Sequence, residues 1–146
     1  MILVSSCLAG INCKYNGGNN YNEKVFNLVK EGKAIPVCAE QLGGLTTPRI
    51  ASEIKYIDGK RYVINKAGED VTEQFEKGAN EILDLAKKLN ITKAILKAKS
   101  PSCGKGKIYN GEFNGGLIQG NGILAELLIE NGIEVITENE MNWHFT

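Results

Sequence analysis

The chain has 146 residues, the commonest size for one domain, so a single hydrophobic core can stabilise it without disulfide bonds. Its 17 basic and 17 acidic residues cancel, which argues against a nucleic acid polymer or an anionic membrane as partner and favours a small molecule. No apolar stretch reaches the ~20 residues of a membrane span. The first residues lack the features of a signal peptide, so we expect a cytoplasmic protein.

The first part of the chain predicts a strand, a helix and a second strand. Apolar residues mark these elements, in chain order, at 2–6, 23–31 and 34–37. The two strands are short apolar runs, whereas the helix repeats its apolar residues at helical spacing and is followed by Gly32. A Gly- and Asn-rich loop from Ala9 to Asn22 joins the first strand to the helix. Cys7 and Cys38 therefore fall directly after the two strands.

A β-hairpin and a long helix are predicted next. Apolar and aromatic residues flank Asp58-Gly59 between Ile54 and Lys66, and Asp-Gly in that setting is a strong hairpin signal. Apolar residues then recur at helical spacing from Phe75 to Leu89 and form one face of a helix. Thr72 is the predicted N-cap of this helix, with Asp70 as a competitor.

The last part of the chain predicts two further strands around a helix. The elements are a strand at 94–97, a turn at 109–111, a helix at 123–129 and a strand at 133–136. Strands that alternate with helices imply right-handed crossovers and a parallel sheet. We therefore predict one α/β domain over residues 1–146. It is a three-layer Rossmann-like fold with a mainly parallel sheet of about four strands, helices on both faces and an inserted β-hairpin.

Three cysteines are expected to meet at one edge of that sheet. Cys7, Cys38 and Cys103 each follow a predicted strand. In open parallel sheets, ligands bind outside the carboxyl ends of the strands. Thiols are kept reduced in the cytoplasm, where clustered cysteines more often serve metals or catalysis than structural disulfides. The sequence therefore predicts one metal or sulfur-chemistry site.

Three chemical interpretations of the thiols remain open. Structural zinc normally takes four ligands that include a close pair, and the nearest pair here is Cys7 and Cys13. A [4Fe–4S] cluster on three thiolates leaves one iron free to bind a substrate atom. The cysteines could also be small buried residues at strand ends. We expect Cys13 to lie near the site but outside the set of ligands.

Polar residues accompany the cysteines in sequence. Glu40 stands two residues after Cys38, and Ser100 and Ser102 come immediately before Cys103. These groups could move protons or hold a substrate heteroatom by hydrogen bonds. Each of them alone could equally be a solvated loop residue.

Two further residues could bear on the chemistry. Arg49 could fix an anionic or carbonyl group of a substrate, or it could make an ordinary ion pair, for example with Glu53. The lone histidine, His144, lies in the C-terminal tail and is expected to be a surface residue. The sequence therefore gives little support to histidine-based zinc hydrolysis or to a Cys-His nucleophilic pair.

Several motifs of the chain, taken in order, resemble those of the DUF523 family. They are Ser6-Cys7-Leu8-Ala9-Gly10-Ile11-Asn12-Cys13-Lys14-Tyr15-Asn16-Gly17, Pro36-Val37-Cys38-Ala39-Glu40-Gln41-Leu42-Gly43-Gly44-Leu45, Pro48-Arg49, Glu53, Gly68-Glu69-Asp70-Val71-Thr72, Lys99-Ser100-Pro101-Ser102-Cys103-Gly104, Tyr109-Asn110-Gly111 and Phe113. The resemblance extends from about Ser5 to about Glu138. The family includes thiouracil desulfidases, which remove sulfur from thiolated uracil without net redox change. Ala39 departs from the family pattern, where proline is common, and the second domain of some relatives is missing.

The resemblance implies a function and a set of site residues. Cys7, Cys38 and Cys103 would hold a [4Fe–4S] cluster whose free iron takes the sulfur of the substrate as a bound hydrosulfide. Glu40 and either Ser100 or Ser102 would assist water attack and proton transfer. The expected activity is the non-redox desulfuration of a small, thiouracil-like molecule. A non-enzymatic sulfur or metal carrier and a zinc-stabilised binding module are the alternatives.

Overall fold

The structure, a computed structural model, describes residues 1–142, so His144 lies outside the described residues. The strands are β1 (Ile2–Ser5), β2 (Ala34–Val37), β3 (Ser52–Ile57), β4 (Lys60–Asn65), β5 (Lys93–Leu96), β6 (Lys107–Tyr109), β7 (Leu117–Gln119) and β8 (Glu134–Thr137). The α-helices are α1 (Glu23–Lys30), α2 (Ala39–Leu42), α3 (Thr72–Lys88) and α4 (Ile123–Glu130), and a 3-10 helix spans Ser6–Ala9. No helix within residues 1–142 is both long enough and apolar enough to cross a membrane.

Four strands form a parallel sheet in the order β2-β1-β5-β8. In its centre β1 pairs with β2 on one side, where Leu3 faces Ile35, and with β5 on the other, where Leu3 faces Ala94. All four residues of β1 are buried, as expected for a strand that is covered on both faces of a parallel sheet. The four predicted strands of the parallel sheet, which correspond to β1, β2, β5 and β8, are thus confirmed.

Helices cover both faces of this sheet. On one face, Val25 and Leu28 of α1 pack in a cluster with Val4. On the other face, residues of α3 and α4 such as Phe75 and Leu124 pack in the larger cluster. Each large apolar side chain buried in this way contributes roughly 1.5–3 kcal/mol to stability. The predicted three-layer α/β fold is confirmed.

The inserted hairpin is also confirmed. β3 and β4 pair in antiparallel fashion around Asp58 and Gly59, whose φ angles of 52° and 78° are both in the left-handed region. Those angles fit the two-residue turn that Asp-Gly favours. The first strand of the hairpin begins at Ser52, two residues before the predicted start.

The prediction that Thr72 is the N-cap of α3 is wrong. The cap position is Val71, and the carboxylate of Asp70 accepts the Thr72 backbone N–H at 2.9 Å. The Thr72 hydroxyl oxygen is used elsewhere, since it accepts the backbone N–H of Val63 in β4 at 2.9 Å. Hydrogen bonds from Thr72 hold the pKa of the Asp70 carboxyl below its usual value. The competitor Asp70 thus stabilises the start of the helix.

The second predicted turn is longer than the sequence indicated. The turn predicted at 109–111 joins two short strands that were not predicted, β6 and β7, and because β7 begins only at Leu117 the connection runs over 110–116. Gly111 has φ 89°, and a Cβ atom there would lie 2.8 Å from the carbonyl oxygen of Ile54. The glycine therefore allows this connection to pass close to β3.

Candidate metal centre

A cavity of ≈ 700 Å³ opens at the carboxyl edge of the central sheet. All the predicted site residues line it. They are Cys7, Cys13, Cys38, Cys103, Glu40, Arg49, Ser100 and Ser102. The convergence of three strand ends at one sheet edge brings these residues together across almost a hundred positions of sequence.

Each of the three predicted ligands reaches the cavity from a different segment. Cys7 lies in the 3-10 helix that follows β1, and Cys38 occupies the N-cap position of α2 directly after β2. Cys103 lies beyond β5 in a turn that Ser100 closes. The hydroxyl oxygen of Ser100 accepts the backbone N–H of Ser102 at 3.1 Å and that of Cys103 at 3.0 Å.

Close packing of α2 against α3 fixes the segment that carries Cys38 and Glu40. A Cβ atom on Gly78 of α3 would lie 1.8 Å from the carbonyl oxygen of Ala39. A Cβ atom on Gly43 would lie 1.9 Å from the carbonyl oxygen of Gln74. The two backbones therefore touch at positions where only glycine fits. The one-turn helix α2 was not predicted, because four residues are too few to show helical periodicity.

Cys13 lines the same cavity as Cys7 and Cys38, and interaction with its thiol is the largest cause of the pKa shifts of both. Its hydrogen bond lowers the pKa of Cys7 to about 7 and the pKa of Cys38 to about 6, in spite of partial burial. The same interactions, first with Cys38 and then with Cys7, raise the pKa of Cys13 itself, because a neighbouring thiolate favours its protonated form. Thiolates are the form that binds metals. Cys7 and Cys38 therefore have more thiolate character than an ordinary cysteine, whereas Cys13 stays a neutral thiol.

Cys103 has a different environment from the other thiols. It is only 9% exposed, and burial raises its pKa to about 12. The hydroxyl of Ser5 lies 3.2 Å from its Sγ and opposes part of this effect. A positive charge or a metal in the cavity would favour the thiolate of Cys103 as well.

Arg49 is buried in the wall of the cavity and pairs with Glu40. Its side chain is 6% exposed, and its Nη2 lies 2.5 Å from Glu40 Oε2 and 2.8 Å from the carbonyl oxygen of Cys13. Nη1 bonds to the Thr46 carbonyl and the Thr47 hydroxyl at 3.2 and 3.0 Å. The guanidinium thus ties Glu40 to the loop that carries Cys13.

Arg49 makes the ion pair that the sequence allowed, but its partner is Glu40 and the suggested partner Glu53 is wrong. The Glu53 carboxylate is buried and accepts the backbone N–H groups of Gly111 and Phe113 at 3.0 and 3.2 Å. Because Glu53 lies on β3, it fastens the 110–116 connection to the hairpin. Phe113 and Gly115 of that connection form part of the cavity wall.

Sequence reasoning missed several residues of the site. Ser5 and Lys97 line the cavity, as do Asn20, Tyr15 and Tyr109. Asn20 Nδ2 lies 3.6 Å from Cys7 Sγ, and Lys97 Nζ lies 3.1 Å from a Glu138 carboxylate oxygen. Lys97 could have been found, since it follows β5 directly. Asn20 lies in a loop without periodicity, and nothing in the sequence pattern distinguishes it.

The donor set fits an iron–sulfur cluster. Thiolates are the usual protein ligands of such clusters, and three thiols reach this cavity from three separate segments. Each thiolate of a [4Fe–4S] cluster binds a different iron, so its ligands stand around the cluster rather than around one point. Within residues 1–142, no three His, Cys, Asp or Glu side chains form a group suited to a single metal ion.

Comparison with known proteins gives three matches. The family model described as 2-thiouracil desulfurase matches residues 2–140. The uncharacterized protein YbbK of Bacillus subtilis (strain 168) is 49% identical over 148 residues, which cover 97% of this chain and 98% of the relative. Among solved structures, the [4Fe–4S]-dependent thiouracil desulfidase TudS is similar with a TM-score of 0.87 and 39% identity. The match covers 96% of this chain and 91% of that one, so the two share a fold.

Proposed function

The chain belongs to the 2-thiouracil desulfurase (DUF523) family, and on that premise we propose that it is a [4Fe–4S]-dependent desulfidase for a small, thiouracil-like molecule. The observation that carries this proposal is the convergence of Cys7, Cys38 and Cys103 with Glu40 on one cavity. The proposed reaction is hydrolysis. Water replaces sulfur on the carbon of a C=S group, which gives C=O and hydrogen sulfide without net transfer of electrons.

We assign Cys7, Cys38 and Cys103 as the ligands of the cluster. When bound, a cluster on three thiolates supplies an iron with an open coordination position, which acts as a Lewis acid toward sulfur. We place Cys13 outside the ligand set, because its interactions with Cys38 and Cys7 raise the pKa of its thiol and keep it protonated. In this position Cys13 stabilises negative charge on two of the ligands.

Glu40 is the proposed general base. Arg49 holds Oε2 of Glu40, and among the described residues no hydrogen bond occupies Oε1. That oxygen is available to take a proton from an attacking water in the cavity. The side chain is 19% exposed, so it can reach water while the ion pair keeps its orientation fixed.

Ser100 is the better placed of the two proposed serine donors. Its oxygen accepts two backbone N–H groups, which leaves the hydroxyl proton free to donate to a substrate heteroatom. Ser102 is buried, and its oxygen lies 3.9 Å from Cys103 Sγ. We propose that Ser102 shields this ligand, and that Ser100 contacts the substrate.

We further propose that residues 1–146 act as one domain in the cytoplasm. The ligands there are reduced thiols, which that compartment maintains. The balanced charge of the chain favours a small molecule over a nucleic acid polymer or a membrane as its partner.

Reconstitution with iron and sulfide in the absence of oxygen tests the proposal. The wild type and Cys13→Ser should bind about four irons and four sulfides per chain, as a [4Fe–4S] cluster requires. Cys7→Ser, Cys38→Ser and Cys103→Ser should each lose the cluster. The loaded wild type should then release sulfide from 2-thiouracil over many turnovers.

Other results would identify the alternatives. A zinc-stabilised binding module would bind zinc in place of the cluster and would need all four cysteines for it. A sulfur carrier would load its cluster but stop after one equivalent of sulfide. Either result would contradict the proposed desulfidase.

A further inference from the structure

Ser5 connects the central sheet to the most deeply buried of the proposed ligands. It is the last residue of β1 and is only 2% exposed. Its hydroxyl oxygen lies 3.2 Å from Cys103 Sγ, across 98 positions of sequence. The same oxygen lies 2.9 Å from the backbone nitrogen of Lys97, immediately after β5.

These two contacts fix the direction of the hydrogen bond to sulfur. The Lys97 backbone N–H can only donate, so the Ser5 oxygen accepts it. The single hydroxyl proton of Ser5 is then left for the second partner, Cys103 Sγ. A donor held by the sheet therefore points at the sulfur before any metal is bound.

We infer that Ser5 is a positioning residue that hydrogen-bonds the Cys103 ligand and raises the reduction potential of the cluster. The inference rests on the proposed function, since it takes Cys103 to be a ligand. Hydrogen bonds to the sulfurs are among the factors that set the potential of an iron–sulfur cluster. A donor stabilises the more negative, reduced state, so its presence makes the potential more positive.

The surroundings make this hydrogen bond strong. Both side chains are buried, and a hydrogen bond in such a low-dielectric environment is electrostatically stronger than one in water. Within residues 1–142, the other side-chain hydrogen bond of this sulfur is one that the Cys103 S–H donates to the Ser102 hydroxyl oxygen, over 3.9 Å. Loss of the Ser5 hydroxyl would leave Cys103 without an equivalent donor.

Asn20 offers an internal comparison. Its amide donates to Cys7 Sγ over 3.6 Å, and Asn20 is less buried than Ser5. A longer and more solvated hydrogen bond stabilises charge on sulfur less. Removal of the Asn20 amide should therefore change the potential in the same direction, but by less.

A redox titration of reconstituted protein tests the inference. Ser5→Thr and Ser5→Val have the same shape and differ by the hydroxyl, so they form a matched pair. The midpoint potential of Ser5→Val should be more negative than that of Ser5→Thr. We expect the equilibrium constant for reduction to differ about tenfold, which corresponds to ~59 mV for one electron. Ser5→Ala should shift the midpoint potential similarly relative to the wild type, which keeps the test available if the Val variant does not fold. Asn20→Ala should shift the potential by less than Ser5→Ala.

The failures of this inference and of the proposed function are distinguishable. Equal potentials for Ser5→Thr and Ser5→Val, or for Ser5→Ala and the wild type, in proteins that hold four irons would overturn the role of Ser5 alone. A Cys103→Ser variant that keeps its full cluster would instead overturn the assignment of Cys103 as a ligand. Iron and sulfide are counted in every sample before the potential is measured.

Discussion

Arg49 shows how one buried side chain can order several groups of the site at the scale of single residues. Its planar guanidinium reaches the Glu40 carboxylate, the Cys13 carbonyl and the neighbouring threonines at the same time. A lysine ammonium is a compact charge on a flexible stem and cannot reproduce this fork. Arg49 thus orders groups of the protein itself, while its buried Nε has no hydrogen-bond partner among the described residues.

Arg49→Lys should therefore impair turnover more than substrate binding. We expect kcat for sulfide release to fall about 10–100-fold, as for other outer-shell partners of a metal site, with little change in KM or in iron content. The matched control is Arg61→Lys, because Arg61 pairs with Glu126 and does not line the cavity. Steady-state kinetics of both reconstituted variants give the comparison. Wild-type kcat in Arg49→Lys would contradict the orienting role.

The site residues divide into those that the sequence could predict and those that it could not. Cys7, Cys38 and Cys103 were predictable because a general rule of parallel sheets places ligands after strand ends. The partners of Arg49 and of Ser5 were not, since both contacts join segments far apart in the chain. Which side chains meet there depends on packing rather than on local pattern.

At the scale of elements, those with a long or distinctive sequence pattern could be predicted, whereas very short ones could not. α3 has 17 residues and a clear apolar face, and the hairpin carries Asp-Gly, so both were predictable. α2 has four residues and exists because it packs on α3. The error at Thr72 has a similar origin, because its hydroxyl is taken by β4, a partner that local sequence does not reveal.

Gly78→Ala should separate α2 from α3. The added methyl group would overlap the Ala39 carbonyl, and relief of such overpacking typically costs about 1–3 kcal/mol. The free energy of unfolding of the cluster-free chain, measured in urea, should fall by that amount. Asn80→Ala, at an exposed position of α3, is the control and should change stability by less than about 0.5 kcal/mol. Unchanged stability in Gly78→Ala would show that the helices do not pack as described.

At the scale of the whole molecule, the proposed ligands tie three segments to one point. Cys7, Cys38 and Cys103 follow three neighbouring strands of the sheet. The alternation of strands and helices predicted a parallel sheet, but it did not give the order β2-β1-β5-β8. That order depends on which crossovers pack best against the shared core, a property of the complete chain.

Removal of the cluster should therefore destabilise the whole fold. A ligand that binds only the native state at about 1,000 times its dissociation constant adds about 4 kcal/mol. For a chain of this size, that corresponds to a decrease in Tm of roughly 10 °C on removal of the cluster. Calorimetry without oxygen, before and after chelation of iron, measures the difference. Equal Tm values for the loaded and the chelated protein would mean that the cluster does not bind across these segments.

The cavity wall has two parts that can change independently, and the Glu53 carboxylate anchors one of them. The thiols come from the strand ends of the sheet, whereas Phe113 comes from the 110–116 connection, which Glu53 holds through two backbone N–H groups. Backbone bonds do not depend on the side chains that the connection carries. Apart from Gly111, whose close approach to β3 leaves no room for a side chain, evolution or design can therefore alter residues of 110–116, and with them the range of molecules accepted, while the proposed metal chemistry stays the same. Desulfidases with different substrates could share one cysteine framework and differ mainly in this exchangeable wall.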